Sequence, residues 1–227
     1  MQAERIHALG RPLLMLHAPH DGLVTRGALT TSDNRVRAQS SACGSLPATF
    51  RIKTMTSPMT SHQYTQSIPV FKQMLTAMKT MLAQAEAHAV DHSIQPDAYL
   101  QARLFPDMFA LFKQVQIAAD FACGVSARLA GVAVPTNEGQ ATSFADLDAM
   151  LKQTLVFLDS LQAAQFDGSE SREIVLRPGT PKEKKLSGHA YLVHYGLPQF
   201  FFHITTAYAI LRHNGIQVGK KDYLGAY

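Results

Sequence analysis

Apolar residues recurring at steps of three and four constrain this chain more than any other feature. From about Gln66 to Ala89 they are Phe71, Met74, Leu75, Met78, Leu82 and Ala85. Between Pro106 and Gly131 they are Met108, Leu111, Val115, Ala118, Ala122, Val125 and Leu129. After Ser143 they are Phe144, Leu147, Leu151, Leu158 and Leu161, with Thr154 in the same row. Such spacing makes one face of an α-helix, whereas a strand alternates its faces every second residue. Pro106 suits a first helical position. Ser143 and Asp146 are spaced as a capping box, in which each side chain caps the other's backbone. A fourth stretch, about Gly188 to His213, is apolar nearly all round and stops at Asn214-Gly215, a good left-handed cap. Pro198 lies inside it. Its ring should clash with the carbonyl of His194, kink the helix and leave that carbonyl free.

Arg172 to Leu186 lacks the helical period. Glu173 to Arg177, a Pro-Gly-Thr-Pro turn and Lys182 to Leu186 predict a short β-hairpin before the fourth helix. The lysines there read as a solvated face. The link from Gly131 to Thr142 is long enough for a crossover between the second and third helices. Four helices with unequal connections predict an all-α fold, a four-helix bundle within residues 59–227.

Residues 1–58 read differently, with arginine and serine, few acids and no sustained period. They are expected to be a disordered or mis-started extension, with Met55 and Met59 standing just before the first helix; an organellar transit peptide also fits the composition. The segment Pro12 to Asp21 has a faint likeness to an α/β-hydrolase strand-and-turn, but no Gly-x-Ser-x-Gly elbow partners it. Charge follows the same division. Residues 1–54 carry 7 Lys and Arg against 3 Asp and Glu, while the remainder carries 14 against 14. The net +4 therefore lies outside the predicted bundle, which has no basic excess with which to bind nucleic acid. No apolar run approaches the roughly 20 residues needed to span a bilayer. Cys43 and Cys123, one in each region, argue against a disulfide framework and point to the cytoplasm. Cys123 reads as a small buried residue.

Sites in bundles are built from side chains on facing helices. On the fourth helix Gln199, His203 and Thr206 share a face with Leu192, Gly196 and Ile210, and Gln199 and His203 are one turn apart. On the second helix Gln116 and Asp120 are likewise one turn apart, in a stripe with Phe109, Phe112 and Cys123. If that stripe faces the fourth helix, Gln116, Asp120, Gln199, His203 and Thr206 form one pocket. The same residues could instead be a satisfied network that fixes packing, with Asp120 pairing with Arg128 or Lys113. His88 and His92 have metal-ligand spacing, but they end the first helix, where imidazoles also favour the helix dipole. The tail Lys220 to Leu224 could dock on the bundle or on a partner.

Gln101 to Phe109, Gln114 to Asp120, Leu197 to Gly215 and Gly219 to Gly225 carry a family resemblance. Together they resemble an uncharacterised bacterial branch, a domain of unknown function, of the DinB/YfiT-like superfamily of four-helix bundles. The resemblance covers about Tyr64 to Gly225. It implies a long crossover between helices two and three. Many members of that superfamily hold a divalent metal with three histidines, and some are transferases or isomerases using a low-molecular-weight thiol. Here the resemblance puts His203 at one ligand position, with Gln199 and about Gln116 at the other two. A carboxamide oxygen is a weak donor to zinc or nickel, for which imidazole is well suited. The expectation is a small-molecule-binding or accessory protein with a degenerate metal site and no cofactor. The alternative is a transferase-like enzyme using His203 with zinc, nickel or a thiol. Superfamily relatives often dimerise, and the Phe-rich fourth helix would permit a homodimer.

Overall fold

The computed structural model describes residues 61–136 and 142–226. The leading segment, and with it the boundary at residue 58, lies outside the described residues. Seven helices, a hairpin and two irregular turns follow in order: α1 His62–Asp91, α2 Pro96–Leu100, α3 Leu111–Ala130, α4 Phe144–Ser160, a 3₁₀ turn Ala163–Phe166, β1 Glu173–Leu176, β2 Lys184–Ser187, α5 Gly188–Tyr191, a π turn Leu192–Gly196, α6 Leu197–His213 and α7 Lys220–Leu224. The bundle consists of α1, α3, α4 and the run from α5 through α6. Both α1 and α3 lie against α4 on one side and α6 on the other.

The apolar stripes become the core. Phe71, Leu75, Met78 and Ala85 of α1 are fully buried, as are Leu111, Val115, Ala118, Ala122, Val125 and Leu129 of α3. Leu147, Leu151 and Leu158 of α4 close the same interior. Each of the Leu, Val, Phe and Met side chains contributes about 1.5–3 kcal/mol through burial, and the alanines less. Among the described residues no helix is long and apolar enough to cross a membrane.

Local signals operate where the sequence placed them. Ser143 Oγ accepts from the Asp146 N–H at 3.1 Å, and Asp146 Oδ2 accepts from the Ser143 N–H at 3.0 Å, completing the capping box. Gly131 ends α3 in the left-handed region at φ 72°. The hairpin forms with Glu173 opposite Ser187 and Leu176 opposite Lys184. The tail docks on the bundle: Gln73 Nε2 donates to the Leu224 carbonyl at 2.8 Å, and the Tyr223 ring lies edge-on to Tyr208.

Two boundaries differ from expectation. The second bundle helix begins at Leu111, not near Pro106. Residues 101–110 turn the chain from α2 into α3, held by Arg103 donating to the Met108 carbonyl at 2.9 Å and by the Leu111 N–H on the Ala102 carbonyl. Pro198 is accommodated by a π turn just before it. There the Leu197 N–H reaches back five residues to the Leu192 carbonyl. Widening the turn by one residue gives a proline ring room that a regular helix would deny it.

The π turn also brings Gly196 against α3. A Cβ at Gly196 would stand 2.7 Å from Val125 Cγ2 and 3.2 Å from its Cγ1. Gly196→Ala should therefore lower unfolding stability in urea by about 1–2 kcal/mol, overpacking outweighing alanine's better helix propensity. Ser143→Ala should lower it by about 1 kcal/mol through the lost cap. An unchanged midpoint for Gly196→Ala would show that α3 and α6 have slack between them.

Candidate functional site

His203 sits on α6 between the fully buried Phe200 and Ala207, and only 7% of its surface is exposed. Its Nδ1 lies 2.7 Å from Oε1 of Gln114 on α3. Gln114 is itself 1% exposed, and its Nε2 donates to the Phe109 carbonyl at 3.1 Å. That second bond orients the amide. Its nitrogen must face the Phe109 carbonyl, so its oxygen faces the imidazole. An amide oxygen only accepts, so Nδ1 carries the proton. In the neutral ring Nε2 is then the bare acceptor. Nε2 makes no hydrogen bond among the described residues and is not one of the fully buried side-chain atoms left without a partner.

Aromatic rings surround this imidazole. Phe121 lies nearly parallel at 6.0 Å between ring centres, and Phe202 meets it edge-on at 5.2 Å. Burial disfavours the imidazolium and holds the His203 pKa below its ordinary 6.5. The ring is thus neutral at neutral pH, with its tautomer set by Gln114.

The remaining sequence candidates fall around this pair in different ways. The residue that accepts from His203 is Gln114, two residues before Gln116. Two residues are roughly 200° of helix, so these two glutamines point to different sides of α3. Gln116 is buried, and its Oε1 accepts from Lys113 Nζ at 3.0 Å on the same helix. Gln199 is half-buried, one turn before His203 on α6. Thr206 donates its hydroxyl to the Phe202 carbonyl at 2.7 Å, spending its proton within its own helix. Asp120 is exposed, at a cleft with Phe121, Arg128, Tyr191 and Tyr195.

Cys123 is buried, and desolvation is the main cause that pushes its thiol up to about 11. At neutral pH it is a protonated apolar residue rather than a nucleophile. His88 and His92 stack at 4.0 Å. Their Nδ1 atoms are taken by Tyr99 Oη at 2.8 Å and the His88 carbonyl at 3.0 Å. Among the described residues no group of three His, Cys, Asp or Glu is placed to hold a metal ion.

Sequence reasoning did not single out Gln114, because it stands in a row that is otherwise apolar. The available signal was that position itself, a polar residue between Leu111 and Ala118 on the core face. Arg128 was considered only as a partner for Asp120. Its signal is the glycine four residues before it, Gly124, whose missing Cβ leaves room for the guanidinium.

Comparison with known proteins agrees with this architecture. The model of a family described as a domain of unknown function, DUF1993, matches residues 63–224. Among solved structures the chain is similar to the crystal structure of a DinB family member protein from Shewanella denitrificans. The identity is 37% and the TM-score 0.68, over 72% of this chain and 92% of that one. No curated protein matches the chain.

The His203 arrangement sets a pH dependence. With the folded pKa depressed, the unfolded chain binds the proton more readily, and stability rises with pH between the two values. This contribution is complete above about 6.5 and is lost as the pH falls through 6.5 toward the lower folded value. His203→Gln should flatten that part of a urea-midpoint-versus-pH curve. Nitrogen NMR of the wild-type imidazole should show a protonated Nδ1 and an unprotonated Nε2 at pH 7. The opposite tautomer would mean that the Gln114 amide is turned round.

Proposed function

Because the chain belongs to the DUF1993 family and to the DinB-like four-helix bundles, we propose that it is a small-molecule-binding member of that group whose metal site has degenerated. The observation that carries this reading is the hydrogen bond from His203 to Gln114. It leaves one bare acceptor, Nε2, on a neutral ring walled by Phe121 and Phe202. A few placed polar atoms in apolar surroundings are what a small-molecule site requires. A ligand hydroxyl or amide N–H would donate to Nε2.

The residues do not fit the three-histidine metal pattern of the superfamily. Carboxamides stand at two of the three positions, Gln116 and Gln199, and amide oxygen is a poor donor to zinc or nickel. The Lys113 ammonium also donates to Gln116 Oε1, so that amide oxygen already has a cationic partner. Only His203 offers a strong ligand atom, and one imidazole is not a site.

One observation favours a second reading. A neutral imidazole with a fixed tautomer is also a general base, which could draw the proton from a low-molecular-weight thiol. In that reading the protein is a transferase-like enzyme, with Gln116, Gln199 and Asp120 positioning substrate.

Metal analysis of the untagged protein tests the first reading. After growth with added zinc and nickel, both the wild type and His203→Ala should hold far less than one metal per chain. Stoichiometric metal that disappears in His203→Ala would overturn it. Consumption of glutathione with an electrophilic chloroarene, falling about a hundredfold or more in His203→Ala, would replace binding with catalysis.

A further inference from the structure

Phe121, which lies against the imidazole, also lines a cleft that does not include His203. This open cleft of about 250 Å³ is lined by Asp120, Phe121, Arg128, Arg177, Tyr191 and Tyr195. Two guanidiniums against one carboxylate give it a positive balance, although the bundle region as a whole has no basic excess. Neither arginine belongs to an ion pair among the described residues.

Arg128 is held in place rather than left to solvent. It folds back along α3, and its Nη1 donates to the Gly124 carbonyl at 2.9 Å and to Tyr191 Oη at 3.4 Å. A Cβ on Gly124 would stand 2.7 Å from that Nη1, so the glycine makes the cradle in which the guanidinium lies. Tyr191 is 1% exposed and its phenol stays protonated, burial raising its pKa. With Nη1 engaged by the protein, the Nε and Nη2 edge of the fork remains as a preoriented pair of donors for an anion.

Arg177 follows β1 directly. Its backbone has φ 51°, a left-handed conformation uncommon for a residue with a side chain. Thr180 holds it there, donating both its N–H at 3.2 Å and its hydroxyl at 2.8 Å to the Arg177 carbonyl. The hairpin thereby contributes a second cation to a cleft otherwise built by α3, α5 and the π turn. The aromatic wall is ordered as well. Tyr191 and Tyr195 stack at 5.7 Å with 22° between planes, and Tyr195 meets Phe121 edge-on at 5.8 Å.

From this geometry we infer that the cleft binds a small planar organic anion. Its carboxylate or phosphate would bridge Arg128 and Arg177, and its flat body would lie on Tyr195 and Phe121. The volume suits a single ring rather than a nucleotide or a peptide. This inference rests on the two arginines and the tyrosine pair, and it holds whatever the role of His203.

Chemical-shift titration of the full-length ¹⁵N-labelled chain tests it with three probes: benzoate, phenyl phosphate and benzamide. Either anion, or both, should saturate with shifts at Gly124, Tyr191 and Tyr195; which one binds more tightly names the head group. Benzamide, with the same ring and no charge, should bind at least about tenfold more weakly, as expected when a charged hydrogen-bonded pair is lost. Arg177→Gln, at an exposed turn, should weaken the anions by about the same factor, and so should Arg128→Gln if it folds. Lys182→Gln, removing an exposed hairpin charge outside the cleft, should bind as the wild type does. Equal affinity for benzamide and the anions overturns the inference. So does wild-type affinity in Arg177→Gln, an equal loss in Lys182→Gln, or the absence of saturable binding by either anion.

Discussion

Where Gly196 of the π turn passes Val125 of α3, the glycine puts no side chain of its own between the two segments. An added methyl group would meet Val125 at 2.7 Å. The π turn Leu192–Gly196 puts the glycine at that point and also absorbs Pro198. Interiors are packed closely enough that such an approach is either made or lost, with little between. Much of the functional geometry depends on it. About two turns beyond the glycine, in α6, His203 comes within 2.7 Å of Gln114. Just before the glycine, Tyr191 and Tyr195 are carried onto Phe121 and Arg128.

The α3 helix carries an unusual polar load for one with so much of its surface buried. Gln114, Gln116 and Ser126 are all buried, and Arg128 is half-buried. A buried polar group left without a partner costs about 1–3 kcal/mol. Gln114 meets that demand through the Phe109 carbonyl and His203, Gln116 through Lys113, and Arg128 through Gly124 and Tyr191. Ser126 is an exception, since its hydroxyl is buried without a partner. Most of these groups are thus held rigidly, which is what a recognition surface needs if binding is not to spend its energy on ordering side chains.

Family membership bears on the scaffold more than on the chemistry. A DinB-like bundle is a way of facing two helices toward each other, and its activity depends on the side chains placed between them. In this chain the facing helices α3 and α6 set the His203 imidazole against the Gln114 amide.

Much of the fold was legible in the residues because its signals are local. Leu111 to Leu129 at steps of three and four, the Ser143–Asp146 box, Gly131 and Asn214-Gly215 as stops, and the Pro-Gly-Thr-Pro turn each act within a few residues of chain. His203 was legible as a polar residue on a buried face for the same reason. Its partner was not. Periodicity says which residues share a face of one helix, but not which turn of the neighbouring helix stands opposite, and one turn of slip would exchange one glutamine's neighbours for another's. That register is set by Gly196 against Val125 and by the extra residue of the π turn, contacts between segments about 70 residues apart. The cleft follows the same logic, since Arg128, Tyr191 and Arg177 come from α3, from α5 and from a hairpin end. Sequence alone determined the helices, their caps and their apolar faces, because those are short-range consequences of side-chain shape. Tertiary structure alone decided which polar atoms meet, because that depends on how closely two distant backbones can approach.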